Sequence, residues 1–221
     1  MPVTELKLND DQELTDDVLT KLNEEKWDVT LNRSIAADNW STIYLPFAMT
    51  NTQLKAAFGE NVKMAEMTGG DATKISFSSV TETEANKPYA IKVDANVTTA
   101  DISNVTLSNV TPSVTAGGWT FTGVYTPGNI PTDSYFFSDN KLYHAADDTN
   151  HINAFRGYFT NNSGAGSREV DFSVDGELTG IRTIESGVQD VENEYFDLQG
   201  RKVAQPTKGL YIVNGKKIIV K

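Results

Sequence analysis

From Trp27 onward the chain alternates apolar and polar residues with a period of two, in runs too short for helices. Residues 28–35 put Val29, Leu31 and Arg33 on one face. Residues 40–47 put Trp40, Thr42, Tyr44 and Pro46 on one face and Ile43, Leu45 and Phe47 on the other. Both faces of this second run are largely apolar, which predicts a strand buried on both sides or near a sheet edge. Pro46 must end it, because proline has no N–H to give to a ladder. One helix interrupts the pattern. Thr50 and Gln53 form a capping-box pair, Met49 and Leu54 a hydrophobic staple, and Gly59 supplies the stop. Residues 51–58 are too few to be helical alone, so Leu54, Ala57 and Phe58 must pack on a sheet.

Strands are expected next at 62–67 and 74–80, as a hairpin across Thr68, Gly69, Gly70 and Asp71, and then at 88–93 and 102–111. Residues 119–125 alternate cleanly after Gly117 and Gly118. Residues 134–138 and 141–144 read as a hairpin around Asp139 and Asn140. The run 151–160 carries Phe155, Tyr158 and Phe159, 161–167 is a polar loop, and 170–174 closes the body. Both glycine pairs precede strands and not helices, which makes them turns and not phosphate cradles. The pattern predicts an all-β fold: an antiparallel β-sandwich, jelly-roll-like or an open barrel, with one short helix near residues 51–58. The body is placed at 27–182. Residues 1–26 are an N-terminal lead-in or the remnant of a preceding region. Within it, 15–22 reads either as a short helix capped by Thr15 or as a loop. Residues 183–221 form a linker and a small C-terminal unit.

That last unit has the strongest local signal. Asn214 and Gly215 separate Tyr211, Ile212 and Val213 from Ile218, Ile219 and Val220, the signature of a two-residue hairpin loop. A short strand begins at Tyr195, Gly200 turns the chain, and three short strands are expected in all. Tyr195, Asp197, Leu198, Gly200, Arg201 and Val203, then Lys208, Gly209, Tyr211 and Val213, then Lys217 to Lys221, occur in an order that resembles the C-terminal sorting domain of proteins exported by the type IX secretion system of Bacteroidetes. The resemblance implies an address read by secretion machinery, with Asp197, Gly200, Arg201, Gly209, Tyr211, Lys217 and Lys221 as its motif residues. It implies a secreted or outer-surface location and no chemistry. The body also resembles a module that recurs in secreted surface proteins of the same bacteria, through residues 29–33, Trp40, Thr42, Leu45, Pro46 and Phe47, Ala57 to Gly59, Lys87 to Tyr89, Phe121, Gly123 and Tyr125, and Phe155, Arg156, Tyr158 and Phe159. That resemblance brings no catalytic residues.

Composition narrows the partners. The 221 residues hold 30 acids against 19 Lys and Arg, a net charge of −11, and only the C-terminal strand is basic. Phosphate binding needs clustered cations, so nucleic acid is not an expected partner. With no cysteine, disulfides, thiolate catalysis and Cys-based zinc sites are excluded. No apolar run approaches the roughly 18–20 residues of a membrane-spanning helix. The first residues lack the basic start and apolar core of a signal peptide, so an export address would imply a leader already removed.

Candidate chemistry is sparse. His144, Asp147, Asp148 and His151 share one loop but match no metal-ligand spacing, and a solvated hairpin loop accounts for them. Asp147, Asp148 and Asn150, or Asp94 and Asn96, offer oxygen ligands without the EF-hand spacing; exposed Asp/Asn turns are the commoner explanation. No metal or cofactor is therefore expected. Serine lacks a nucleophile elbow, and 30 acids single out no glycosidase pair. Among Trp27, Trp40, Trp119, Tyr125, Tyr135, Phe136 and Tyr143, most are expected to fill the core, and the residues bordering loops, Trp119 and Tyr143, are the candidate ligand contacts for a glycan. Arg33 and Arg156 interrupt apolar strands, as edge cations or partners of an acid. Lys216, Lys217 and Lys221 guard an edge strand or meet an acidic surface. The expectation is a non-enzymatic, secreted or surface-displayed module for adhesion or structure. The alternatives are a carbohydrate-binding module and, third, a hydrolase with an Asp/Glu pair. Partners are the secretion machinery and a glycan or another surface protein.

Overall fold

In a computed structural model, the described residues are 4–15, 18–20, 26–108, 113–139, 141–162, 170–185, 195–196, 202–203, 209–213 and 216–220. They belong to two compact units, Met1–Ser186 and Gly187–Lys221. The alternation in residues 28–35 produces the second strand of a three-stranded sheet. There β1 (Thr4–Asn9) runs parallel to β2 (Lys26–Ile35), and β7 (Val97–Thr106) lies antiparallel on the other side of β2. Trp27, Val29, Leu31, Arg33 and Ile35 all point inward. The parallel β1–β2 pair needs a crossover. Part of that crossover is helical at residues 18–20, where Thr15 Oγ1 accepts from Val18 N at 3.3 Å; the rest of the expected 15–22 helix lies outside the described residues. Leu8, Leu14 and Leu19 are core residues, so the expected lead-in builds part of the first unit.

The larger sheet holds eleven strands. From one end these are β3 (Trp40–Tyr44), β6 (Pro88–Lys92), β4 (Lys63–Asp71), β5 (Lys74–Val80), β15 (Asp171–Val174), β16 (Glu177–Glu185), β12 (Lys141–His144), β11 (Ser134–Ser138), β14 (Arg156–Asn161), β9 (Trp119–Val124) and β8 (Ser113–Ala116). Only β5–β15 and β12–β16 are parallel among its pairings. The sheet curls so that β8 and β9 lie against β4, and β14 meets β3. At that seam Tyr44 N donates to Phe155 O (3.0 Å). The Thr42 hydroxyl donates to Gly157 O (3.1 Å) and accepts from Gly157 N (2.9 Å), replacing a backbone rung. A two-residue ladder, β10 (Gly128–Asn129) with β13 (His151–Ile152), sits over a small cluster of Ile130, Ala145 and Ile152. The result is an all-β sandwich with α1 (Asn51–Phe58) as its short helix.

Strands β3, β6 and β4 form a middle layer between two cores. Ile43, Met64, Tyr89 and Ile91 face the three-stranded sheet and α1. Trp40, Ala65, Met67 and Ala90 face the interior of the curl, with Phe77, Phe121, Phe159 and Phe172. This is why residues 40–47 are apolar on both faces. The capping box of α1 forms as expected, with Gln53 N donating to Thr50 Oγ1 and Thr50 N to Gln53 Oε1. Leu54 and Phe58 are its buried residues.

Several expected boundaries move. Gly69 and Gly70 are not a turn: β4 runs through them to Asp71, with a bulge between Met67 and Gly69. The reason is contact with Gly117, which approaches their backbone. Gly117 (φ 56°) and Gly118 (φ 80°) do form a turn, the two-residue β8–β9 loop with positive φ at both centres. The run 151–160 splits at Phe155, whose φ is 60°. Strand β7 starts at Val97, earlier than expected. Strands β8, β10 and β16 were not expected, and with β16 the body does not close at 174. In the second unit, β17 (Tyr195–Phe196), β18 (Lys202–Val203), β19 (Gly209–Val213) and β20 (Lys216–Val220) make a four-stranded sheet, one strand more than expected.

Three aspartates brace loops with their carboxylates, Asp71 and Asp147 within their own turns and Asp175 across to Ser79 on β5. Asp71 accepts from Thr73 N and Oγ1, both at 2.9 Å; Asp147 accepts from Thr149 N (2.9 Å) and Oγ1 (2.6 Å); Asp175 accepts from Ser79 N (2.8 Å) and Oγ (2.6 Å). These bonds favour the ionised form and hold all three below the usual carboxylate value. The stabilisation is present above the unfolded carboxylate pKa and is lost as pH falls through the lowered folded values. Melting temperature should therefore drop on acidification below about pH 4. Asp175→Asn should flatten that drop, and an unchanged profile for the variant would contradict the Ser79 contact.

Candidate functional site

The seam between β3 and β14 gathers the body's most unusual side chains. Arg33 projects inward from β2 and is 2% exposed. Its Nη1 donates to Phe155 O, and its Nη2 to Thr42 O and to Ser41 Oγ at 3.0 Å. Its Nε has no hydrogen-bond partner among the described residues. Burial lowers its pKa first, the Arg156 charge lowers it further, and Asp10 opposes both. Arg33 is thus neither an edge cation nor an acid's direct partner; carbonyl oxygens hold it. Arg156 does pair with an acid, Asp10, at 2.8 Å.

Beside this node the Tyr44 and Tyr125 rings stack at 4.2 Å, and Tyr125 Oη donates to Asn86 Oδ1 at 2.7 Å. Burial, then the neighbouring Tyr44, pushes the Tyr125 phenol far above its ordinary value. A Cβ on Gly123 would overlap the Tyr44 ring. Lys87 Nζ bridges Glu66 (2.6 Å) and Glu84 (2.8 Å). Burial works against its charge, but the two carboxylates prevail and raise its pKa. These charged groups hold loops and strands to one another.

The loop candidates separate. His144 is buried on β12 with Nε2 3.3 Å from Asp133, while His151 is exposed on β13 with Nδ1 3.4 Å from Asn129 Oδ1. Among the described residues, no group of three His, Asp or Glu side chains converges as a metal site. Asp94 accepts from Asn61 Nδ2 (2.6 Å) and Asn96 from Ala37 N (2.8 Å), so both tie loops together. All three tryptophans are buried. Trp119, a candidate ligand contact, is fully enclosed and donates from Nε1 to Asp71 O at 2.7 Å; the first residue after the turn at Gly117 and Gly118 already faces the core. Tyr143 is half-buried on the outer face of the sheet, its ring 5.6 Å from that of its cross-strand neighbour Phe136.

A concave feature that the sequence did not announce lies elsewhere. An open groove of about 580 Å³ runs between the first turn of α1 and the outer edge of β7. Thr50, Thr52 and Gln53 form one wall, Ser103, Asn104 and Thr106 the other, and Lys26 is the charged side chain in its lining. Gln53 Nε2 reaches across to Ser103 O at 2.8 Å. The second unit places Gly209 and Tyr211 on β19 and Lys217 on β20, paired from Gly209↔Val220 to Val213↔Lys216. Asp197, Gly200, Arg201, Asn214, Gly215 and Lys221 lie outside the described residues. No protein-family model matches the chain, and no significant match was found among curated proteins or solved structures.

Proposed function

We propose that this chain is a non-enzymatic β-sandwich module of a secreted or surface-displayed protein, serving adhesion or structure, with the C-terminal unit as its export address. The observation that carries this reading is the tail. Residues Gly187–Lys221 form a compact unit of their own that contains four short strands, and of the sorting-like motif residues Gly209 and Tyr211 fall on β19 and Lys217 on β20. An address has to be recognised apart from its cargo, and a self-contained terminal unit suits that role. The body supports the non-enzymatic half of the reading. Arg33, Arg156 and Lys87 are committed to internal contacts, Asp71 and Asp147 each close a turn, and Asp175 is bonded to Ser79.

Deletion of residues 195–221 in a Bacteroidetes host with a type IX system tests the address. The truncated protein should be retained inside the outer membrane and lost from the surface and medium. A fluorescent reporter carrying residues 187–221 should gain export. Undiminished display of the truncated chain would overturn the proposal.

A further inference from the structure

We infer that the Arg33 node is a binding site for one small monovalent anion, a halide such as chloride, held between Arg33 Nε and the Ser41 hydroxyl. The charges around Arg33 do not balance. Arg33 is 2% exposed, and its acceptors among the described residues, Phe155 O, Thr42 O and Ser41 Oγ, are all neutral. The charged groups that act on it are Arg156 and Asp10, which pair with each other at 2.8 Å. The node therefore holds two guanidiniums against one carboxylate, a surplus of one positive charge. A buried charge without a counter-charge is costly, because water no longer solvates it. Burial and then the Arg156 charge accordingly press the Arg33 pKa down, and Asp10 does not offset them.

The hydrogen bonds point the same way. Nη1 and Nη2 are engaged by two carbonyls and a hydroxyl, whereas Nε is closed to solvent and has no partner among the described residues. A buried donor of this kind calls for a water or an ion. Ser41 Oγ accepts from Nη2 at 3.0 Å and keeps its own proton to give. The guanidinium fork directs Nε–H and one Nη2–H to the same side, so the Nε and Ser41 protons lie on one flank of Arg33. Ser41 is half-buried, which opens that flank toward solvent. Water there would satisfy Nε and leave the surplus charge; a halide answers both. The enclosure of Arg33 favours a monatomic ion over a bulkier carboxylate, and a phosphate would bring more charge than the single surplus. The site belongs to the first unit and does not depend on the export address.

The test follows thermal unfolding of the full chain at fixed pH and ionic strength while sodium chloride replaces sodium gluconate, whose anion is too bulky for the node. Screening is then constant, and the melting temperature should rise saturably with chloride, as for a ligand that binds only the folded chain. Sodium bromide should act in the same way. Two variants move the charge balance in opposite directions. Arg156→Gln removes the surplus, so the chloride dependence should disappear. Asp10→Asn doubles the surplus, so the apparent chloride affinity should rise about tenfold. Ser41→Ala takes away one donor and should lower that affinity about tenfold. Crystals of the unaltered chain grown in bromide need no variant to fold: anomalous scattering should place one bromide beside Arg33 Nε. Equal melting temperatures in chloride and gluconate, an undiminished dependence in Arg156→Gln, an affinity that falls in Asp10→Asn, or a water at Nε without anomalous signal would each overturn the inference.

Discussion

Replacing Arg33 with alanine is expected to lower the unfolding free energy of the first unit by about 3–5 kcal/mol. The loss has two parts. The guanidinium bridges Phe155 O, Thr42 O and Ser41 Oγ, and its removal leaves buried acceptors with fewer donors. It also leaves a void, since Arg33 is almost wholly enclosed. The phenylalanine whose carbonyl it holds sits at φ 60°, a backbone region that costs a bulky residue energy and persists only when neighbours impose it. Arg33 is one of those neighbours. Arg33→Met restores most of the volume without the donors and should fall between alanine and the parent. Arg33→Lys should not rescue, because an ammonium lacks the planar fork that reaches both carbonyls. Urea denaturation followed by tryptophan fluorescence reads all three. With domains of this kind stable by about 5–15 kcal/mol, the alanine variant would sit near its unfolding threshold at moderate temperature. A loss below about 1 kcal/mol would mean that the guanidinium is solvated and not clasped.

Gly117→Ala should be nearly as damaging, by about 3 kcal/mol or more. Two costs combine. The residue sits at φ 56°, where a side chain is strained. A Cβ there would also stand 2.8 Å from Gly70 O and 2.9 Å from Gly69 Cα, and closer still to Gly70 N. All of these are backbone atoms, so no rotamer change relieves the clash. Gly176→Ala separates the terms. Gly176 has φ 82° but nothing within 4 Å of its Cβ position. Its substitution should cost only the backbone strain, about 1–2 kcal/mol. Equal melting temperatures for the two variants would refute the close approach of β4 and the β8–β9 turn.

What could be read along the chain was what is local. The alternation through Arg33, the capping box at Thr50 and Gln53, and the 134–144 hairpin each depend on neighbours within a few residues, and all three are present. Strand β16 was missed although Asp175 and Gly176, a common hairpin pair with φ 52° and 82°, announce it after β15. Gly180, at φ 79°, interrupts the alternation that would have marked the strand. Gly69 and Gly70 misled for a different reason. Glycine pairs mark turns in isolation, but here the missing side chains admit another backbone about 50 residues away, and no local rule carries that distance. The groove was invisible on the same ground. Gln53 is legible as a capping residue, while its second amide bond, to Ser103 O, exists only once α1 and β7 have met.

The sheet order has a consequence for assembly. Strands β3, β6, β4 and β5 form one ladder and β12, β11, β14, β9 and β8 another, and the rungs that join them are β15 and β16, the last two strands of the first unit to leave the ribosome. A nascent chain ending before residue 170 therefore holds two half-sheets that can meet at the β3–β14 seam while their other borders, at β5 and β12, still lack the strands that bridge them. The bridge from β5 to β12 waits for the distal residues, so this part of the sheet is completed last.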